Sequence, residues 1–281
     1  MAIVIGIMPA LFWGVLPVWL QKVTGGTFRQ QLIGTTIGIV FVAAAVHVVC
    51  GFSVSASVWV LFLLSGFCWS FGQAGQYYCY DRLGVSITMP LSTALQIVGN
   101  SIIGGLFFGE WNGRWDILKS LLALVLIIAG VFLTNGRGGA KATAKLRDYG
   151  VLVLTTAGYW LYSAFPLMVT GVDSKIEGFL PQALGMLISS FLIGVTQRRE
   201  VCDGRTVSNI SGGLIFSVAA ATYLMSMSMN GMVNAFVLSQ LNVAVSTLMG
   251  AIILKETAKG QVPRVAVGLV VLLVGATVMV M

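Results

Sequence analysis

Hydrophobic runs of about membrane-spanning length take up nearly the whole of this chain, and only short loops separate them. Because the hydrocarbon core of a bilayer is about 30 Å thick, a helix needs about 20 apolar residues to cross it. The sequence therefore predicts ten membrane-spanning helices. They lie at about residues 2–20, 30–50, 56–79, 84–108, 115–135, 149–170, 179–197, 208–229, 231–254 and 262–281.

The composition also indicates an integral membrane protein. Of the 281 residues, 57% are hydrophobic and only 9% are charged, whereas soluble domains are about 25% charged. The N-terminal run lacks the basic segment of a signal peptide, so we interpret it as a retained first helix. The four cysteines show neither metal-ligand nor redox spacing. We therefore expect free thiols, with no metal site and no cofactor.

The basic residues are concentrated in alternate loops. A net charge of +7 is also seen in nucleic-acid-binding proteins, but in a multi-pass protein basic residues set the topology, and we expect no nucleic-acid partner. Thirteen of the sixteen Lys and Arg residues lie in loops on one side of the predicted membrane. The positive-inside rule assigns that side to the cytoplasm. With ten helices, both termini then lie outside the cytoplasm.

The longest basic loop, residues 137–147, lies at the midpoint of the chain. We interpret it as a linker between a first half, residues 1–136, and a second half, residues 148–281, with five helices each. The halves are weakly similar: "LST" at 91–93 aligns with "LSQ" at 238–240, 147 residues later. An odd number of helices per half inverts the second half in the membrane. We therefore predict an all-α membrane protein with two inverted five-helix repeats, as in transporters whose binding site lies between the repeats.

Neutral polar and aromatic side chains recur on particular helix faces, at steps of three and four residues along helices 3 and 4. A polar side chain in hydrocarbon needs a partner, a water molecule or a substrate. Ser, Thr and Gln also hold membrane helices together, which is the alternative interpretation. The candidate binding residues are Trp13, Trp69, Gln73, Gln76, Ser92, Thr93, Gln96, Tyr159, Trp160, Ser239 and Gln240.

No charged side chain lies near the centre of any predicted helix. Drug-cation antiporters and anion carriers usually keep an intramembrane charge, so both classes are disfavoured. Amides donate and accept hydrogen bonds, as sugar hydroxyls do, and indole and phenol rings pack on the apolar faces of sugar rings. The residues therefore predict a transporter of a small neutral polar molecule, and a sugar fits best.

Five segments resemble the bacterial glucose/ribose porter family of the drug/metabolite transporter superfamily. They are "PALFWG" at 9–14, "GFCWSFGQAGQ" at 66–76, "LGVSITMPLSTALQIVG" at 83–99, "GEW" at 109–111 and "FVLSQLNVAVSTLMG" at 236–250. The resemblance implies ten helices in a five-plus-five inverted repeat, in the bacterial plasma membrane, and uptake of glucose or ribose. Carried over by position, the family's motif residues are Trp13, Trp69, Gln73, Gln76, Pro90, Ser92, Thr93, Gln96, Ser239 and Gln240.

This sequence departs from the family pattern in two places. Helix 8 reads "GGLIFSVAAATY", where relatives tend to have a Trp and an amide. Helix 9 ends in "LKE" rather than "LGE". Both departures fall in the second half, so the contacts that this half makes with a substrate differ from the family pattern.

The favoured mechanism is alternating access, either coupled to protons or facilitative, with Pro17 and Pro90 as bending points. The candidates for proton coupling are Asp81, Glu110 and Glu256, all near helix ends, where a structural role is the stronger interpretation. An exporter of metabolites or amphipathic drugs is the alternative function. A membrane-embedded enzyme is disfavoured because the sequence offers no catalytic constellation. The oligomeric state stays open.

Overall fold

The computed structural model describes residues 2–107, 113–134, 144–169, 175–197, 202–230, 238–256 and 259–280, and these ranges contain helices and turns but no β-strand. We number the long helices in chain order. They are α1 Ala2–Trp19, α2 Phe28–Cys50, α3 Ala56–Arg82, α4 Val85–Phe107, α5 Arg114–Thr134, α6 Leu146–Leu167, α7 Phe179–Gly194, α8 Ile210–Asn230, α9 Asn242–Ile253 and α10 Val262–Val280.

Six helical segments in the described ranges are long and apolar enough to cross a membrane, as expected of a multi-pass membrane protein. They are Ala2–Thr24, Phe28–Cys50, Ala56–Arg82, Ile117–Thr134, Leu146–Leu167 and Ile176–Gly194. Two shorter apolar segments, Leu238–Ile253 and Val262–Val278, come later in the chain. Large apolar side chains cover the outer surface, and Phe132 on α5 is 72% exposed. Such a surface suits contact with lipid.

Local sequence explains where several helices start and stop. Beyond Pro17, α1 continues as a π-helical turn, Leu20–Thr24, and ends at Gly25 with φ of +60°. A capping box between Thr27 and Gln30 then begins α2. Gly84, with φ of +93°, separates α3 from α4. Gly25 and Gly84 have positive φ angles, which glycine adopts without steric cost.

Helices of the two halves pack on one another throughout. Helix α1 packs on α8 and α9, while α3 packs on α6 and α7. Helix α2 lies against α7 and α8, α4 against α6 and α9, and α5 against α10. The halves are therefore interleaved rather than side by side, and residues from both meet at the centre of the bundle.

Two glycines allow α3 and α7 to approach closely. A Cβ atom on Gly66 would lie against the carbonyl oxygen of Gln182, and a Cβ atom on Gly185 would lie against the carbonyl oxygen of Leu63. A larger residue at either position would force the helices apart, as is usual where membrane helices pack through small residues.

The packing of α8 on α2 repeats these contacts with residues 147 positions away in the chain. A Cβ atom on Gly213 would lie against the carbonyl oxygen of Thr35, and a Cβ atom on Gly38 would lie against that of Ile210. Both glycine contacts between α3 and α7 thus have a counterpart between α8 and α2. In the counterpart, the residue from the first half takes the place of the residue from the second half, and the reverse.

Candidate functional site

Three side chains from α3 and α4 form a hydrogen-bonded chain in the interior. Gln73 donates through Nε2 to Oε1 of Gln76 at 2.9 Å, and Gln76 donates through Nε2 to Oγ of Ser92 at 2.9 Å. Gln96, one turn beyond Ser92, also donates to the Ser92 hydroxyl, at 3.1 Å. The polar faces that the spacing predicts on helices 3 and 4 therefore meet in the structure.

Tyr159 on α6 joins this chain to the second half. Its hydroxyl donates to Oε1 of Gln73 at 2.9 Å and lies 3.2 Å from Oε1 of Gln76. Gly72 on α3 gives the phenol ring room, since a Cβ atom there would meet the ring at 2.7 Å. We call Gln73, Gln76, Ser92, Gln96 and Tyr159 the amide network. These side chains are hydrogen-bonded to one another in the structure.

An aromatic group lies near the network on α1, α3 and α8. The ring of Trp13 is tilted against Phe216 and Tyr223, with centroid distances of 5.7 and 5.6 Å. Trp69 meets Phe216 edge to face at 5.2 Å. We call Trp13, Trp69, Phe216 and Tyr223 the aromatic group. Trp69 stands one turn before Gln73 on α3, so the aromatic group continues directly into the amide network.

The two tryptophans that stand 147 residues apart differ in their hydrogen bonding. Trp160 on α6 donates from Nε1 to the carbonyl oxygen of Leu95 at 3.0 Å and packs over Gly99 on α4. The Nε1 atom of Trp13 is buried, yet it has no hydrogen-bond partner among the described residues. Trp160 therefore fixes α6 to α4, whereas Trp13 keeps a buried donor that a ligand can use.

The other predicted site residues lie in varied surroundings. Thr93 is 5% exposed on α4, and Ser239 is 2% exposed. Gln240 donates to its neighbour Ser239 at 3.4 Å. The second half reaches the amide network through Tyr159. That Gln240 contacts a substrate from the second half stays a prediction.

The three coupling candidates are placed very differently. Glu256 follows α9 and accepts hydrogen bonds from the backbone N–H groups of Val85 and Ser86. Asp81 is exposed near the end of α3. Glu110 lies outside the described residues. The contacts of Glu256 therefore indicate a structural role, in which its carboxylate holds the start of α4.

Sequence reasoning missed Phe216, although a signal for it was present. Phe216 stands 147 residues after Trp69, so the spacing between the halves pairs the two positions. In the structure these equivalent residues touch. Ala220 likewise stands 147 residues after Gln73, so at these two equivalent positions the second half has an aromatic ring but no amide.

Asp148 is a second residue that the sequence analysis did not single out. Its side chain is 1% exposed and accepts hydrogen bonds from the Tyr78 hydroxyl at 3.0 Å and the Lys145 backbone N–H at 2.9 Å. Arg147 Nε lies 3.8 Å from the same carboxylate. Asp148 therefore caps the start of α6 and ties it to α3, and the closely spaced charges in "KLRD" were the available signal.

Two open grooves of about 370 and 290 Å³ lie on the faces of α3 and α6. The larger is apolar and includes Phe67, Phe71 and Leu161, and the smaller includes Arg29 and Tyr78. Neither is lined by the amide network, in which Gln73 and Gln76 are each 6% exposed. Entry of a ligand to the network therefore requires the helices to separate.

No group of three or more His, Cys, Asp or Glu side chains suited to a metal ion occurs within the described ranges. The cysteines Cys50, Cys68, Cys79 and Cys202 are unpaired thiols. The side chains at the centre are thus amides, hydroxyls and aromatic rings, which bind through neutral hydrogen bonds and ring packing.

Comparison with known proteins relates the chain to transporters. A Lactobacillus helveticus protein named as a sugar uptake protein is 36% identical, over 99% of this chain and 100% of its own length. A Latilactobacillus sakei protein named as a ribose uptake protein is 37% identical, over 98% of this chain and 97% of its own length. The glucose uptake protein GlcU of Bacillus subtilis is 32% identical, with 98% and 96% covered.

A solved structure and a protein family also match nearly the whole chain. A solved crystal structure of a protein matches with a TM-score of 0.65 and 17% identity, covering 99% of this chain and 97% of its own, which shows a similar fold. The family described as sugar transport protein matches residues 4–281. The chain therefore belongs to this sugar transport protein family.

Proposed function

We propose that the chain takes up a monosaccharide such as glucose or ribose across the bacterial plasma membrane, by alternating access at a site between its halves. Relatives named as sugar, ribose and glucose uptake proteins support the substrate class. The amide network and the aromatic group support the place, because together they offer hydrogen-bonding groups beside ring surfaces.

The proposed architecture is ten membrane-spanning helices in two inverted repeats, residues 1–136 and 148–281, joined by a cytoplasmic linker at 137–147. The reciprocal contacts of Gly66 with Gln182 and of Gly213 with Thr35 support it, since a two-fold relation exchanges the two members of each contact. The bias of basic residues toward alternate loops supports a cytoplasmic linker and extracytoplasmic termini.

The observation that carries the proposal is the buried, unpartnered Nε1 of Trp13. An N–H group out of water without an acceptor costs free energy that a bound hydroxyl recovers. In the closed bundle Gln73, Gln76 and Tyr159 bond to one another. We infer that a sugar exchanges these bonds for bonds to its hydroxyls, so no amide is left unsatisfied in either state.

The proposed site contains no charged side chain among the described residues, so it binds a neutral substrate without displacing an ion. Uptake is therefore either facilitative or coupled to protons at carboxylates away from the site, for which Asp81, Glu110 and Glu256 are the candidates. The carboxylate of Glu256 is already bonded to two backbone N–H groups, which favours a structural role for it.

Uptake of labelled glucose and ribose into liposomes that contain the purified protein tests this proposal. Trp13→Phe keeps an aromatic ring but removes the N–H, and we expect the KM for sugar to rise about tenfold. The matched control is Trp160→Phe, which should lower the melting temperature and change KM by less than about twofold. Equal KM values for both variants and the wild type would remove Trp13 from the site. Efflux of amphipathic compounds without sugar uptake would favour the exporter instead.

A further inference from the structure

The segment after α9 turns sharply and brings Glu256 to the start of α4. Lys255 has φ of +56°, a left-handed conformation, and the backbone N–H of Glu256 lies 3.4 Å from the carbonyl oxygen of Gly250. The Glu256 carboxylate then accepts hydrogen bonds from the N–H of Val85 at 2.9 Å and the N–H of Ser86 at 2.8 Å. Each carboxylate oxygen has its own donor.

The first N–H groups of a helix have no partner within the helix, and the positive end of the helix dipole lies there. A carboxylate at this position accepts hydrogen bonds from the unpaired N–H groups, and its negative charge interacts favourably with the dipole. Hydrogen bonds to an ionised acceptor are stronger than those between neutral groups. Two glycines leave room for it. A Cβ atom on Gly84 would lie 2.9 Å from the carboxyl carbon, and one on Gly250 would lie 3.0 Å from the Ser86 nitrogen.

This contact joins the two halves, since Glu256 and Val85 are 171 residues apart in the chain. Pro90 follows on α4 and has no N–H, so the Ser86 carbonyl lacks its usual helical donor. The first turn of α4 can therefore bend relative to the turn that carries Ser92 and Gln96. A movement of Glu256 can therefore shift the first turn of α4, while the following turns, which carry Ser92 and Gln96, keep their place in the amide network.

Two further hydrogen bonds between the halves lie on the same side in the proposed topology. The Thr24 hydroxyl donates to the side-chain oxygen of Asn209 at 2.7 Å, and the Gln30 amide donates to Asp203 at 3.2 Å. These residues lie at the turns before α2 and α8, which face the cytoplasm if the linker does. That side of the bundle is therefore held closed by contacts between halves, with Glu256 contributing two charge-assisted bonds.

We propose that Glu256 and the first turn of α4 form the cytoplasmic gate, which is closed in this structure and opens once in each transport cycle. The proposal rests on the proposed function. Glutamine at position 256 would preserve the size of the side chain, but its NH2 group would face one of the two N–H donors. Glu256→Gln therefore weakens the gate with little change in packing.

Labelling of one cysteine tests the closed contact without any substrate. Ser86, which is 3% exposed, is replaced by cysteine in a protein whose four native cysteines are serines, and a membrane-impermeant maleimide is added to sealed vesicles of both orientations. We expect labelling from the cytoplasmic side to be about tenfold faster with Glu256→Gln, because losing the carboxylate makes opening easier. The matched control, Glu177→Gln, should leave the rate unchanged. Equal rates with and without Glu256 would overturn the proposal.

A disulfide across the gate tests whether it must open. A Cβ atom on Gly250 would lie 3.2 Å from the Cβ atom of Val85, close to the spacing of about 3.5–4.5 Å in disulfides. We expect oxidised Val85→Cys/Gly250→Cys protein to lose sugar uptake and to regain it on reduction. Full uptake by the cross-linked protein would overturn the proposal.

If the reduced double variant does not transport, the Ser86 labelling rates alone decide the proposal. The labelling needs no substrate, so it also separates the gate from the proposed function. A wild-type protein that takes up no sugar would refute sugar uptake and would leave the labelling rates to test the gate.

Discussion

The Tyr159 hydroxyl is the connection whose loss should affect the proposed site most clearly. It donates to Oε1 of Gln73 at 2.9 Å, and it is the point at which α6 enters the amide network. Tyr159→Phe removes this donor and little else, because the phenyl ring can keep its place over Gly72. Gln76 keeps its hydrogen bond from Gln73, so one buried amide oxygen, that of Gln73, loses the Tyr159 donor.

The expected loss of stability follows from this single unsatisfied acceptor, the amide oxygen of Gln73. A buried hydrogen-bonding group left without its partner costs about 1–3 kcal/mol, so we expect Tyr159→Phe to lower the stability of the protein by that amount. Gln73 also loses the contact that fixes its amide orientation. Sugar binding must then order this side chain, and we expect the affinity to fall about tenfold, which corresponds to about 1.4 kcal/mol.

The assay compares the melting temperature and the sugar affinity of purified wild-type and variant protein in detergent. Tyr162→Phe is the matched control, since it removes another phenolic hydroxyl from the same helix but leaves the amide network intact. We expect the control to keep the wild-type affinity. Wild-type values of both quantities for Tyr159→Phe would refute the reasoning, because the network would then contribute neither cohesion nor binding.

Two further predictions concern Lys255, in the "LKE" segment, and Glu110, in the "GEW" segment. Lys255 adopts φ of +56°, a left-handed conformation that is unfavourable for a residue with a side chain, so Lys255→Gly should stabilise the protein by about 1 kcal/mol. A rise in melting temperature checks this, with Lys259→Gly as the control, and no rise would contradict it. Glu110→Gln should change the rate of uptake without abolishing accumulation of sugar. Complete loss of accumulation with counterflow intact would instead make Glu110 the proton carrier.

The hydrophobic runs predicted where the described helices lie, because residues with clear local preferences bound these runs. Gly51 and Gly84 end runs with left-handed conformations, and Thr27 begins one with a capping box. Where the structure describes both the prediction and the helix, the ends differ by only a few residues. The start of the ninth predicted helix, at residue 231, lies outside the described residues.

The site was predicted less completely because spacing fixes the face of a helix but not the partner of a side chain. The glutamines of α3 were correctly assigned to one face with each other. Trp160 and Tyr159 are neighbours in sequence, yet one donates to the backbone of α4 and the other to Gln73. Only the packing of α6 between α3 and α4 decides which of them faces the network.

The contact of Glu256 with α4 could not be read from local sequence for a different reason. Its partners are backbone N–H groups about 170 residues away, and backbone donors leave no signature in the identity of the residues that carry them. Gly84 and Gly250 were the available signals, since both leave room for the carboxylate. Their meaning depends on knowing that the end of α9 meets the start of α4.

A structure of the protein with glucose or ribose bound would show directly whether the sugar lies at the proposed site. We predict a sugar ring between the aromatic group and the amide network. One hydroxyl should accept a hydrogen bond from Nε1 of Trp13, and others should replace the bonds between Gln73, Gln76 and Tyr159. A sugar bound elsewhere, with the amide network still bonded to itself and Trp13 still without a partner, would refute the proposed site.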